Sequence, residues 1–458
     1  MSLARARLPT LPLPLSRHIS TTAPRAKKLG APDKQDRERI RQDQEKQNRE
    51  RAQVARAARA RGDDWVDSGF RPVTGRVFLD RKRRRVKLFD EPIPDAKNIF
   101  KELGPLPAFE RLPEFGSEKH PVVGTSSFFP TGLKDPIAVF GTPRSVEQDF
   151  QLLSRPASVT RQCSLDMLAT LRRLAKPDAP SAHRIITGPA GSGKSYTLLQ
   201  AVHYAAQMDW IVLYVPRALT LVKNMSEYIY DRRTRTFFQP EDSKKILQQL
   251  LDMNSTLRRF LDANAVRLLD AALVEPAGAP EALRAVLISL GEQSEVPVLV
   301  AVDEMQALYS TSWYMDPYFK PIEACHLSVP RLLLEFAAGR QKLQRGAFLG
   351  TYTSTDTHFP LPLVLREAAG APHETPAGPY SPRPEHLLAY ISDDLSGWPL
   401  ARGGALTSRE AAAMYDLWHL ARAVPGSYTE RTFMNAWASS SGNPRAFVKG
   451  GMLCAMEV

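Results

Sequence analysis

Residues 188–195 read Gly-Pro-Ala-Gly-Ser-Gly-Lys-Ser, the spacing G-x-x-x-x-G-K-S. Those residue types suit one task, gripping a phosphate chain. Gly188, Gly191 and Gly193 let backbone N–H groups curl around an anion without Cβ clashes. Lys194 has the reach to meet the outer phosphates, and the Ser195 hydroxyl suits Mg²⁺. A helix starting at this point aims its positive end at the same anion. Pro189, Ala190, Ser192 and Tyr196 complete the expected nucleotide-contacting set.

A second segment supplies acids. Residues 298–304 read Val-Leu-Val-Ala-Val-Asp-Glu, an apolar strand ending in two carboxylates. In a parallel sheet such a strand ends at the carboxyl edge, where nucleotides bind. Asp303 is then placed to hold Mg²⁺ with Ser195, and Glu304 to polarise an attacking water. Ser354 and Thr355, after a strand over 347–353, are candidates for sensing the terminal phosphate. Near the C-terminus, Ser441-Gly442-Asn443-Pro444-Arg445 reads as a helix start, with Asn443 as cap and Pro444 first in the helix. Arg445 would then face the nucleotide. Trp313, Tyr314, Tyr318 and Phe319 are read as local packing rather than as an RNA stacking platform.

The elements that must carry these residues alternate. Strands are expected over 183–187, 210–215, 297–303 and 347–353, and helices over 160–176, 195–206, 243–262 and 329–343. Strands separated by helices imply a parallel sheet covered on both faces. The fold class is therefore α/β. The proposed divisions are a segment of loops and a helix over 101–180, a nucleotide-binding core over 181–359, a linker over 360–385 and a small helical lid over 386–458. Seven prolines in positions 360–384 mark the linker. Thr407 and Glu410 have capping-box spacing at the start of a lid helix.

Of the 458 residues, the first 100 hold 25 Lys+Arg against 13 Asp+Glu, which accounts for the whole net charge of +12. The body is electrically neutral, so the sequence is a neutral body with a basic arm, a pattern that points to a polyanion partner. Residues 1–26 contain four arginines and no acid, the composition of a mitochondrial presequence. The arm follows over 27–100, extended or helical, and includes Arg81-Lys82-Arg83-Arg84-Arg85-Val86-Lys87. That run suits RNA phosphates. The longest apolar runs are about seven residues, as at 296–302, against the ~20 a membrane span needs. Three widely separated cysteines exclude a disulfide framework.

The presequence, the basic arm, GPAGSGKS, VLVAVDEMQALY and SGNPR, in this order, resemble the death-associated-protein family of mitochondrial ribosomal proteins, and a fungal member in particular. The resemblance implies a P-loop domain of AAA+-like kind in the small subunit of the ribosome in the mitochondrial matrix. It would contact small-subunit rRNA and neighbouring ribosomal proteins, without membrane insertion and with no DNA partner. It would hold a purine nucleoside di- or triphosphate (GTP, GDP or ATP) with Mg²⁺, as structure more than as fuel, with weak hydrolysis at most. No [NT]-K-x-D guanine-reading motif follows the loop, and the acidic pair is more like ATPase chemistry. The alternative is a mitochondrial AAA+-like ATPase that remodels a partner.

Overall fold

Continuous apolar runs such as Ile211–Val215 and Val298–Val302 are buried at every position, so both faces of their sheet must be covered. The computed structural model describes residues 105–116, 122–132, 134–371, 383–391, 394–424 and 428–453, with five helical positions between 42 and 53. The chain divides into two units, Met1–Glu91 and Pro92–Val458. In the first, Gln42, Glu45, Lys46, Arg49 and Gln53 are helical and exposed, as good helix formers without an apolar face would be. The presequence 1–26, the basic run 81–87 and the remainder of the 27–100 arm lie outside the described residues.

The second unit opens with β1 (Ser126–Phe128), α1 (Arg144–Leu153), β2 (Ala157–Val159) and α2 (Gln162–Leu174). Next come β3 (Ala182–Thr187), α3 (Lys194–Gln207), β4 (Ile211–Val215), and a hairpin of β5 (Ile229–Asp231) and β6 (Thr236–Phe238). Helices α4 (Pro240–Met253), α5 (Ala263–Val274) and α6 (Ala279–Glu292) lead to β7 (Val298–Val302). A second hairpin, β8 (Thr311–Met315) and β9 (Pro321–Glu323), precedes α7 (Ser328–Ala337) and β10 (Gly346–Thr351). β11 (Leu395–Pro399), α8 (Ser408–Leu420), α9 (Glu430–Ser440) and a π-helical turn, Ala446–Met452, complete it.

The central sheet has the order β11-β3-β10-β7-β4, and every pairing in it is parallel. All five carboxyl ends therefore share one edge. Thr351 pairs with Ile186 of β3, and Gly350 with Val302 of β7. That register draws the 188–195 loop, Asp303 and the end of β10 together. Gly346 begins β10 at φ 133°, and a Cβ there would stand 1.9 Å from the Val298 carbonyl oxygen. Only glycine lets the strand start flush against β7.

The structure adjusts several sequence boundaries. Four strands and the helix after the glycine-rich loop lie where expected. The helix expected over 243–262 ends at Met253 and gives way to a 3₁₀ turn, Leu257–Phe260. The Asn254 side chain ends it by bonding both Val212 N–H and Val212 C=O, which ties the turn to β4. The helix expected over 329–343 stops at Ala337, before Gly339 at φ 66°. β10 ends at Thr351, short of Ser354 and Thr355. Two features were not expected. Residues 363–368 form a short helix inside the proline-rich stretch, and β11 makes the start of the expected lid the fifth strand of the sheet.

A second core binds the first residues of this unit to its last. Phe109, Phe128, Leu153 and Val159 pack with Trp418, Phe447 and Met452. Parts of the 101–180 segment and of the lid thus share one core. Substituting Gly346→Ala combines a forbidden approach with a strained φ and is expected to cost roughly 2–5 kcal/mol of unfolding free energy. Urea denaturation measures it; a midpoint unchanged from the parent chain would show that β10 does not depend on this contact.

Candidate functional site

The 188–195 loop leaves β3 and enters α3 with its glycines in the left-handed region, Gly191 at φ 77° and Gly193 at φ 93°. Both are also sterically committed. A Cβ on Gly191 would meet Asn443 Oδ1 at 2.6 Å and Arg445 Cβ at 2.7 Å, and one on Gly193 would meet Arg161 Nη1 at 2.9 Å. The loop is therefore pressed from the lid on one side and from the start of α2 on the other.

Arg161 is the side chain that sequence reasoning missed. It is buried, yet carries a guanidinium. Nη1 donates to the Ser192 carbonyl at 2.8 Å and Nη2 to the Gly404 carbonyl at 2.7 Å. Nε lies 3.8 Å from the buried carboxylate of Glu410. Glu410 also accepts from Gln162 N–H at 2.9 Å and Thr407 N–H at 2.8 Å. The capping box of α8 thereby supplies the countercharge to the arginine that holds the loop. Its sequence signal was Thr407 with Glu410; nothing in the sequence linked that pair to position 161.

The lid touches the loop directly. Asn443 Nδ2 donates to the Ala190 carbonyl at 2.7 Å, and Arg445 N–H to the Gly191 carbonyl at 3.1 Å. Asn443 Oδ1 accepts from the N–H groups of Arg445 and Ala446, with Pro444 first in the helical turn. This is the cap expected from the sequence. The Arg445 side chain borders the cavity described below.

Lys194 is buried, and its ammonium donates to the carbonyls of Gly188 and Pro189 at 2.8 and 2.9 Å. It stands 5.1 Å from the centre of the Tyr352 ring. Burial pushes its pKa down to about 8, with Arg445 adding to the depression and Asp303 opposing it. Asp303 is buried at the end of β7, with Oδ1 accepting from the Thr351 hydroxyl and from Glu304 N–H. Oδ2 is buried with no hydrogen-bond partner. Burial raises the Asp303 pKa; the Ser195 hydroxyl, close by but outside hydrogen-bonding geometry, draws it back. Ser195 and the open Oδ2 are the pair with capacity to hold a hard cation. The polar residue of β10 that meets this acid is Thr351, rather than Ser354 or Thr355.

Glu304 follows in the left-handed region at φ 59°, a conformation costing about 1–3 kcal/mol outside glycine. Burial first, then Asp303, raises its pKa to about 7, while Arg217 and Lys223 oppose the rise.

A cavity of about 140 Å³ opens along the loop. Ala190 through Tyr196 form one wall, β2 and α1 another, and Met414, Trp418, Arg445, Val448 and Lys449 the lid side. Neither Asp303 nor Glu304 lines it. Asp149, also missed in the sequence, lies at its edge. One carboxyl oxygen accepts from the Tyr196 hydroxyl at 3.2 Å, and the other is buried without a partner. Burial raises its pKa against the pull of Lys449. Gln200 closes the back wall, donating to Ser158 Oγ at 3.1 Å and the Val159 carbonyl at 3.2 Å. The walls offer apolar surface beside the glycine-rich loop, a combination that suits a ligand with a flat apolar end and a polyanionic end. Among the described residues there is no cluster of three metal-ligating side chains and no helix long and apolar enough to cross a membrane.

Glu304 gives a pH test. Its folded pKa is raised, so the folded state binds more protons between pH 4.5 and about 7, and stability is lost as pH rises through that window. Glu304→Gln should therefore be more stable than the parent at pH 8 by on the order of 1–3 kcal/mol, with the difference vanishing near pH 4.5. Thermal denaturation across that range decides it; a constant difference would refute the assigned burial.

The family model for mitochondrial ribosomal death-associated protein 3 matches residues 158–265 and 261–450, which include the loop, both acids and the lid. The small ribosomal subunit protein mS29 of Neurospora crassa is 24% identical over 87% of this chain and 86% of its own length. That of Schizosaccharomyces pombe is 23% identical over 79% and 77%, and that of Mus musculus 26% identical over 39% and 51%. The chain belongs to the mitochondrial ribosomal death-associated protein 3 family and is a mitochondrial ribosomal protein with fungal-like relatives.

Proposed function

We propose that this protein is a structural constituent of the small subunit of the mitochondrial ribosome, with a purine nucleotide held in the 188–195 loop and Mg²⁺ between Ser195 and Asp303. The observation that carries the nucleotide reading is the buried Lys194 ammonium. It is satisfied only by carbonyl oxygens of its own loop, while a cavity lies alongside. A phosphate would take over those bonds and supply the missing negative charge. The unpartnered Asp303 Oδ2 supports the metal in the same way. Bound Mg²⁺ would neutralise phosphate charge; the chain's residues orient and enclose the ligand. The base and sugar would lie against the lid, with Asp149 and Lys449 among the groups able to reach their polar edges.

The arm would bind small-subunit rRNA through charge. Replacing the five bases at 81–85 by Gln should flatten the slope of log K against log [salt] by about 0.7–0.9 per lost phosphate contact. An unchanged slope would remove the arm from the interface.

The arrangement favours a nucleotide kept as structure. Glu304, the candidate for activating water, does not line the cavity and would reach a ligand there only past Asp303. Glu304→Gln is expected to co-sediment with small subunits and retain nucleotide, while Lys194→Ala loses both. Loss of mitochondrial translation in Glu304→Gln with assembly and bound nucleotide intact would instead support the remodelling ATPase.

A proton balance tests the binding mode independently. Near pH 8.5 Lys194 is mostly neutral, because its pKa lies near 8. A phosphate chain restores its charge, so Mg-nucleotide binding should take up roughly half to one proton at pH 8.5 and far less at pH 7. Calorimetry in buffers of different ionisation enthalpy, in the Glu304→Gln background, reads that number; zero uptake at both pH values would place the phosphates elsewhere.

A further inference from the structure

Of the aromatic cluster at 313–319, expected as local packing, Tyr314 is fully buried while Tyr318 and Phe319 are exposed. The lid and the glycine-rich loop, by contrast, are joined through contacts of two different strengths. The inner one is Arg161, buried and bonded to the carbonyls of Ser192 and Gly404. Parting those segments would strand a charge away from water, a costly event. The outer one is the turn at 443–446. Asn443 is half-buried and Arg445 exposed, so their bonds to the Ala190 and Gly191 carbonyls, at 2.7 and 3.1 Å, exchange for bonds to water at small cost. The structure can therefore open at the outer contact while the inner one stays shut.

The chain on both sides of Asn443 suits that motion. Ser441 and Gly442, just before it, are left-handed at φ 49° and 78°, and they separate the turn from α9. Pro444, Arg445, Val448 and Lys449, just after it, border the cavity. The cavity measures about 140 Å³, below the ~300 Å³ at the lower end of small-molecule pockets. A ligand of nucleotide size needs one wall to give, and this is the wall held by solvent-exposed bonds.

Asn443 itself does not line the cavity. Its Oδ1 accepts from Arg445 and Ala446 N–H, which leaves the Nδ2 donor for the Ala190 carbonyl. One end of the amide caps the turn and the other fastens it to the loop. Gly191 makes room for this arrangement, since a Cβ there would stand 2.6 Å from Asn443 Oδ1.

We propose that Asn443 is a latch on the lid that sets how fast a ligand enters and leaves the cavity without touching it, an inference that rests on the cavity being the nucleotide site. Because Asn443 lies outside the lining, its loss weakens the closed lid equally with and without ligand. Entry and release should both quicken, and the affinity should hold. Arg445→Ala gives the contrast: it keeps the backbone bond to Gly191 but removes a side chain that borders the cavity, so release and Kd should rise without faster entry.

Stopped-flow mixing of the full chain with Mg²⁺ and the methylanthraniloyl derivatives of ADP and GDP reads both rates. Asn443→Ser keeps a helix-capping oxygen but loses the reach to Ala190. Its entry and release rates are expected to rise together by roughly threefold to tenfold, the equivalent of one exposed hydrogen bond, with Kd within about twofold of the parent. Asn443→Asp also caps the turn but faces the Ala190 carbonyl with no proton to donate. It carries the test should Asn443→Ser not fold, and its release should quicken by at least about threefold. Unchanged release in either variant, or faster release from Asn443→Ser with a matching rise in Kd, would overturn the latch. Failure of the parent chain to bind either probe, or binding that survives Lys194→Ala, would overturn the nucleotide reading and the latch together.

Discussion

A buried guanidinium organises the site. Arg161 links the carbonyl of Ser192 in the glycine-rich loop to that of Gly404 ahead of α8, with the Glu410 carboxylate as its countercharge. Removing an ion from water costs several kcal/mol, repaid only when its donors are met and an opposite charge is near. Arg161 has Nη1 and Nη2 bonded and Nε facing Glu410 without a hydrogen bond, and it finds these partners only if loop, lid and α2 occupy these positions together. Removing either ionic partner would leave the other charge buried and alone, so the three segments are conditional on one another.

The opposite situation holds at Lys194. Its donors are satisfied by the loop, but carbonyl oxygens carry only partial charge, and burial holds its pKa near 8. Asp303 is close enough to ease that burden without removing it. One cation is thus electrically closed within the fold and the other left open. The open one adjoins a cavity bounded by the lid that the closed one fastens. These two opposite electrostatic situations fall to basic residues 33 positions apart in the chain.

What could be read from the sequence was what depends on local pattern. The loop, its acidic counterpart on β7, the capping box at Thr407 and the Asn443-Pro444 helix start are each set by a few adjacent residue types, and each lies where its spacing placed it. Arg161 and Asp149 escaped because their roles depend on partners far along the chain, and an isolated Arg or Asp has no signature. β11 escaped for another reason. Leu-Ser-Gly-Trp-Pro has neither alternation nor a β-branched run to mark it as a strand; its Gly397 admits the end of the 363–368 helix, whose Ala369 carbonyl oxygen a Cβ would meet at 1.9 Å. The end of β10 differs from expectation because strand-favouring residues continue past Thr351 in Tyr352 and Thr353, while the pairing with the neighbouring strands stops.

The sheet order also governs when the site can exist. Ala182 of β3 pairs with Ala347, and His183 with Leu395. Both neighbours of the strand that launches the glycine-rich loop lie more than 160 residues downstream. A chain delivered N-terminus first would emerge with this strand unpaired until residue 351 had followed, and paired on one side only until residue 399. Such non-local pairing is slow, since loop-closure entropy is lost before any contact repays it. The final geometry of the glycine-rich loop is thus a late event in the life of the polypeptide, and an interrupted chain ending in the proline-rich stretch would carry the whole motif without β11 and the lid that press on it.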